Sequence, residues 1–254
     1  MNFKAFKVQF LGLVLMFLLG ISCSLLVTPP EDYPPEEDTI APQPPANLQV
    51  AVSINQVFRP AVSVTWTRSP DSDVLLYRIY RETSAENTEL PAQLSNVRQY
   101  YDTDIVFPTQ EGGTTHYRYM MTAIDSSGNF SNYSDSLGVT MIIPPVLITP
   151  QGTVDSAQAA NLKFWWQVRY NIGKEMYIYL TDDKNDTLLL VNPVYGYDVT
   201  SFSMVYSVLR IQNNNAYTAP PVLPLGKYYW WVRLELTDEV PHPVSIAVKE
   251  FTIE

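Results

Sequence analysis

The sequence predicts an all-β protein, with two tandem β-sandwich domains that follow an amino-terminal leader and a proline-rich linker. Hydrophobic and polar residues alternate with a period of two over several segments, which is typical of strands with one buried face. Turn-forming residues separate these segments at intervals of roughly 8 to 15 positions. The 254-residue chain also has 13% aromatic residues, 20 prolines and only 10 glycines, a composition that favours strands and stiff connections.

Length and charge limit the classes of function. Without a leader of about 22 residues, roughly 230 remain, enough for two domains that each bury a core. The net charge is −10, and removal of the two leader lysines leaves 14 Lys and Arg against 26 Asp and Glu, a balance of −12. Such a surface repels phosphate backbones, so we expect no nucleic-acid partner.

Residues 1–22 have the layout of a secretory signal peptide. Lys4 and Lys7 form a positive amino-terminal region, and a largely apolar run follows over residues 8–19. The run ends just before Cys23, the only cysteine of the chain. The position of this cysteine, just after the apolar run, therefore points to its role better than the count of cysteines does.

Residues 20–23, Gly-Ile-Ser-Cys, resemble a bacterial lipobox. The resemblance implies that the Cys23 thiol takes a diacylglyceryl group, that the chain is cut just before it, and that acyl chains such as palmitate anchor it in a membrane. Ser24 implies, by the same resemblance, sorting to the outer membrane of the bacterial cell envelope. Two alternatives remain: an uncleaved membrane helix over residues 8–27, and a simple signal peptide with an incidental cysteine.

Residues 23–45 form an acidic, proline-rich linker. Seven prolines and five acidic residues lie in it, so we expect an extended polyproline conformation that like charges keep from collapsing. At ~3 Å per residue, such a stalk could hold the first domain up to ~60 Å from a bilayer. A recognised proline motif is the alternative.

The first predicted domain covers residues 46–143. Its predicted strands lie near residues 62–67, 77–81, 117–123 and 137–141. Tyr117 and Tyr119 share the inner face of the third of these, and residues 125–129 form a tight turn after it. Residues 83–97 lack alternation and are predicted as a loop.

This order of motifs resembles a fibronectin type III domain. The motifs are Pro45-Ala46-Asn47-Leu48, Val64-Thr65-Trp66, Tyr77-Arg78-Ile79-Tyr80, Tyr100-Tyr101-Asp102, Tyr117-Arg118-Tyr119 and the turn from Asp125 to Ser131. The resemblance implies a seven-stranded sandwich with Trp66 in its core. It also implies that Tyr117 is a tyrosine corner, whose hydroxyl bonds to upstream backbone.

The second predicted domain covers residues 144–254 and begins at two consecutive prolines. Its predicted strands lie near residues 162–168, 176–180, 187–191, 202–211, 226–235 and 245–253, and a long loop covers residues 213–224. The layout resembles an immunoglobulin-like or fibronectin-like sandwich, with Tyr228 as its corner. The polar residues 182–186, Asp-Asp-Lys-Asn-Asp, indicate a hairpin turn, because their spacing does not match an EF-hand calcium loop.

Nothing in the sequence indicates an enzyme, a metal or a cofactor. The two histidines, His116 and His242, have no serine, cysteine or acid at a spacing that argues for a triad. Metal-binding and phosphate-binding motifs are missing as well. We therefore expect a non-catalytic protein.

The candidate ligand-binding residues form an aromatic face on the second domain. If Met176 and Ile178 face the core, alternation puts Tyr177 and Tyr179 on the opposite face, and it does the same for Tyr229 and Trp231 beside Tyr228 and Trp230. In a fibronectin-like sandwich the third and sixth strands are neighbours, so the four outward rings would lie together. Flat aromatic faces bind sugar rings and anchor protein partners.

Three functions are compatible with this face. The first is a surface binding or adhesion module for a glycan or protein ligand. The second is a structural spacer, in which the rings pack against the first domain, the long loop or another copy of the chain. The third is an accessory subunit of an envelope complex. Two separate sandwiches also predict that each domain unfolds independently.

Overall fold

The all-β prediction is confirmed, since strands dominate the described chain. The computed structural model describes residues 37–169, 174–184, 186–196, 201–206, 219–237 and 243–254, without the side chains of residues 189, 190 and 192–196. The leader, Cys23, most of the linker, half of the predicted 213–224 loop and His242 lie outside the described residues. Within these ranges, no helix is long and apolar enough to cross a membrane.

The first sandwich is formed by eight strands. These are β1 (Ala46–Ile54), β2 (Pro60–Thr67), β3 (Val74–Glu82), β4 (Asn87–Glu89), β5 (Gln93–Leu94), β6 (Gln99–Asp102), β7 (Thr115–Asp125) and β8 (Leu137–Met141). One sheet has the order β1-β2-β6, and the other runs β4-β3-β7-β8, with β5 also on β3. The prediction of a loop over residues 83–97 was wrong, because β4 and β5 lie there. Both are edge strands too short to show a period of two.

The inner face of the first sandwich follows the predicted alternation. Val62, Val64 and Trp66 are buried on β2, and Tyr119 and Met121 are buried on β7. The tyrosine corner is present too, because the backbone N–H of Val106 donates to the Tyr117 hydroxyl at 2.8 Å. This hydrogen bond links the start of β7 to the segment that precedes it.

The second sandwich repeats this arrangement. Its strands are β9 (Val146–Thr149), β10 (Gly152–Val154), β11 (Lys163–Gln167), β12 (Lys174–Asp182), β13 (Thr187–Gly196), β14 (Ser201–Val205), β15 (Gly226–Leu236) and β16 (Val244–Ile253), with a 3-10 helix at Ser156–Asn161. One sheet has the order β14-β11-β9, and the other runs β13-β12-β15-β16. β10 adds to β16 in parallel.

The core of the second sandwich lies between its two sheets. Phe164 and Trp166 on β11 face Trp230 and Val232 on β15, and all four are fully buried. The Tyr228 hydroxyl donates to the Pro224 carbonyl at 2.9 Å, as predicted for a corner tyrosine.

The predicted hairpin turn between β12 and β13 is present. The Asp182 carboxylate accepts backbone N–H groups of Lys184 and Asp186 at 3.0 and 2.9 Å. Its oxygen therefore stabilises the turn, as short acidic side chains commonly do.

The two sandwiches contact each other in addition to being linked through the chain. Residues 39–254 form one compact unit. The larger sheets meet where Val244 of β16 pairs with Met141 of β8 in parallel. Trp231, Val244 and Ile246 of the second sandwich belong to the same buried cluster as the core of the first.

Candidate functional site

The predicted aromatic face lies on β12 and β15. Their antiparallel register places Tyr179 opposite Trp231 and Thr181 opposite Tyr229, with Tyr177 two residues before Tyr179. The alternate positions of both strands are buried in the second core. The four rings therefore belong to the outer face of one sheet, where a period of two places them.

Trp231 is covered by the first sandwich. Only 7% of it is exposed, and it packs in the cluster that contains Val62 and Trp66. Tyr179 stacks on Trp231 with ring centroids 4.9 Å apart and planes at 7°, and is packed against the same cluster. The centre of the aromatic face is therefore an interior contact between the two sandwiches.

Phe58 covers the next ring along β15. It lies in the turn between β1 and β2 and stacks on Tyr229 at a centroid distance of 3.9 Å and 12° between planes. The Asn55 side chain holds this turn by accepting the backbone N–H groups of Val57 and Arg59 at 3.0 and 2.9 Å. The sequence analysis missed Phe58, although a bulky aromatic residue in a turn was a signal.

Charged groups surround the stacked rings. Lys227 lies 5.1 Å from the Tyr229 ring centroid and pairs with Glu250 at 2.9 Å. The hydrogen bond to Glu250, with a second to Tyr229, raises the pKa of Lys227 to about 12. Burial and the bond that Tyr177 donates to Glu175 at 2.9 Å raise the pKa of Tyr177 to about 12. These groups are paired, which suits a structural contact.

The observed contacts match the structural interpretation of the aromatic face. A ligand could reach the face of Trp231 only if the first sandwich moved away from it. Tyr177 and Tyr229 are partly exposed at the edge of the contact. Ligand binding by Tyr177, Tyr179, Tyr229 and Trp231 stays a prediction.

A buried ionic cluster lies inside the first sandwich. Arg81 on β3 points inward and pairs with Asp102 at 3.0 Å, and both side chains are almost fully buried. The Tyr119 hydroxyl donates to the same carboxylate at 2.9 Å, and the exposed Asp104 contacts the guanidinium from outside. Burial alone would lower the pKa of Arg81, but Asp102 outweighs it and the pKa is raised. The sequence analysis did not predict this pair.

His116 has two hydroxyl neighbours. Its ring nitrogens lie 3.1 Å from the Thr114 hydroxyl and 2.9 Å from the Thr140 hydroxyl. Threonine hydroxyls on both nitrogens leave the ring without the carboxylate that orients a catalytic base in a triad.

No protein-family model matches the sequence, and no curated protein is similar to it. Solved structures similar to the chain are mostly fibronectin type III domains. The chicken CNTN1 FN1-FN3 domains are 15% identical, over 84% of this chain and 67% of that one, with a TM-score of 0.33. The two-domain fibronectin type III segment of chicken tenascin is 11% identical, over 81% of this chain and 98% of that one, with a TM-score of 0.29.

One similar structure is an enzyme. The spore cortex lytic enzyme SleM of Clostridium perfringens is 16% identical, with a TM-score of 0.30, and the match covers 40% of this chain. This chain spans only 28% of SleM. At such identities and TM-scores these likenesses concern local fold, and they carry no information about ligand or activity.

Proposed function

We propose that the chain is a non-catalytic, lipid-anchored protein of the bacterial cell envelope that displays a binding module for a glycan or protein ligand. The observation that carries the proposal is the contact between the two sandwiches, in which Trp231 is buried and the partly buried Tyr179 packs against the core of the first. This contact makes the first sandwich a support that holds the second in a defined position. A supported domain on an extended stalk suits the capture of a ligand away from the membrane.

The anchor in this proposal is Cys23. An apolar run over residues 8–19, followed within four residues by the only cysteine and then by an acidic proline-rich segment, supports lipidation and a stalk. Two or three acyl chains anchor a protein stably, whereas one does not. The outer membrane is the proposed location.

A spacer or accessory subunit is the second candidate. The covered aromatic face favours it, because the rings that most resembled a ligand site are used for contact between the sandwiches. The two candidates differ in whether the remaining surface binds a ligand of its own.

Membrane fractionation with intact-mass analysis tests the anchored function. We expect the full-length protein, expressed in a Gram-negative host, to fractionate with membranes as a chain that begins at acylated Cys23. The Cys23→Ser variant should be soluble or unprocessed. A mature wild-type chain that begins elsewhere or lacks acyl mass would contradict the proposal.

A further inference from the structure

One tryptophan differs from the other four in its surroundings. Trp66, Trp166, Trp230 and Trp231 are buried. Trp165, on the outer face of β11, is only partly buried. Its indole N–H donates to the Ser201 hydroxyl on the neighbouring strand β14 at 2.9 Å, which holds the plane of the ring. A fixed, partly exposed indole can bind a flat partner with little loss of side-chain entropy.

Trp165 forms one wall of an open groove of about 540 Å³. This volume lies within the range of ~300–1,000 Å³ that is usual for small-molecule sites. The polar side chains that line the groove are Thr149, Gln151, Gln158, Asn161 and Lys163. None of them is acidic, although the chain has a net charge of −10.

The three amides of the groove, on Gln151, Gln158 and Asn161, are exposed. In the described part of the chain their side chains make no hydrogen bond, so each can offer both a donor and an acceptor to a ligand. Lys163 adds a donor, with its Nζ 5.6 Å from the centroid of the Trp165 ring. The groove therefore combines one aromatic surface with several uncharged hydrogen-bonding groups.

We propose that this groove binds an uncharged saccharide, with the Trp165 ring against the apolar face of a sugar and the amides at its hydroxyls. The assignment rests on the proposed function as a binding module and names its ligand class. A sugar ring has one apolar C–H face, and its hydroxyls both donate and accept, which is what an indole and amides complement. The groove has no carboxylate for a cation, and a single aromatic ring is too little for a protein interface of ~800 Å² per partner.

Quenching of tryptophan fluorescence by acrylamide tests the assignment. The mature chain, residues 23–254 with Cys23→Ser, is titrated with cellohexaose, chitohexaose and maltohexaose. Because the other four tryptophans are buried, Trp165 dominates the quenching, and a bound sugar should reduce it. We expect at least one of the three sugars to bind.

Variants locate the site. Isothermal titration calorimetry measures the affinity for the sugar that binds. Trp165→Ala should weaken that affinity by about tenfold or more, and Gln158→Ala should weaken it less. The control is Tyr133→Ala, an exposed aromatic residue of the first sandwich, which should leave the affinity unchanged. If Trp165→Ala fails to fold, the variants Gln151→Ala and Gln158→Ala of the exposed groove residues test the site by the same affinity measurement.

Two results would overturn the assignment. If none of the three sugars binds, the groove is not a saccharide site. Equal affinity of wild type and groove variants shows that a sugar binds elsewhere, which refutes the groove but leaves the binding function standing. The anchored function itself is judged separately, by the acyl mass at Cys23.

Discussion

Arg81 illustrates at the residue scale how a period of two can place a charge in a core. It has the same parity as Tyr77 and Ile79 on β3, whose side chains are buried, so the strand directs the guanidinium inward. Asp102 at the end of β6 compensates the charge. Alternation alone could predict the direction of Arg81 but not its partner, because β6 is a separate segment of the sequence.

Removal of the Asp102 charge should be strongly destabilising. Asp102→Asn leaves Arg81 buried without its carboxylate, which costs about 3–5 kcal/mol of unfolding free energy. Asp104→Asn is a matched control, because Asp104 contacts the same guanidinium but its side chain is 88% exposed, and it should cost at most ~1 kcal/mol. Urea unfolding measures both, and equal small losses would show that the buried pair contributes little.

At the scale of elements, the sequence predicts which residues of β12 and β15 face outwards. It does not predict that the first sandwich covers that outer face. Strict alternation determines that Tyr179 and Trp231 lie opposite the second core. The first sandwich covers Trp231 and packs against Tyr179, and Phe58 of its β1–β2 turn covers Tyr229. These segments are distant in sequence, and only the aromatic Phe58 in the turn pointed to a contact of this kind. The short strands β4 and β5 escaped prediction because their residues are too few to show a period.

The stacked pair of Phe58 and Tyr229 should couple the β1–β2 turn to β15. A double-mutant cycle with Phe58→Ala and Tyr229→Ala should give a coupling energy of about 0.5–1.5 kcal/mol, as aromatic pairs do. Val57→Ala is the control, since Val57 lies in the same turn and is 66% exposed. It should show no coupling with Tyr229→Ala in urea unfolding. A cycle for Phe58 that closes to zero would mean that the stacking adds nothing to stability.

At the scale of the whole molecule, the two cores share one boundary. The sequence predicted two sandwiches that unfold independently, because each has a complete alternating pattern. The structure instead predicts coupled unfolding, since Trp231, Val244 and Ile246 complete the first core from the second sandwich. Loss of order in the second sandwich would uncover apolar surface of the first, at a cost of about 25 cal/mol per Å².

Calorimetric unfolding of residues 23–254 with Cys23→Ser, compared with the Trp231→Ala variant of the same chain, tests this coupling most directly. The contact through Trp231 predicts one transition for the parent chain. In the variant, truncation of a buried tryptophan costs about 3–5 kcal/mol and should lower the transition temperature or divide the transition into two. Tyr133→Ala, an exposed aromatic change, should leave a single transition near the parent temperature. Two separate transitions in the parent chain, both unchanged by Trp231→Ala, would contradict the account.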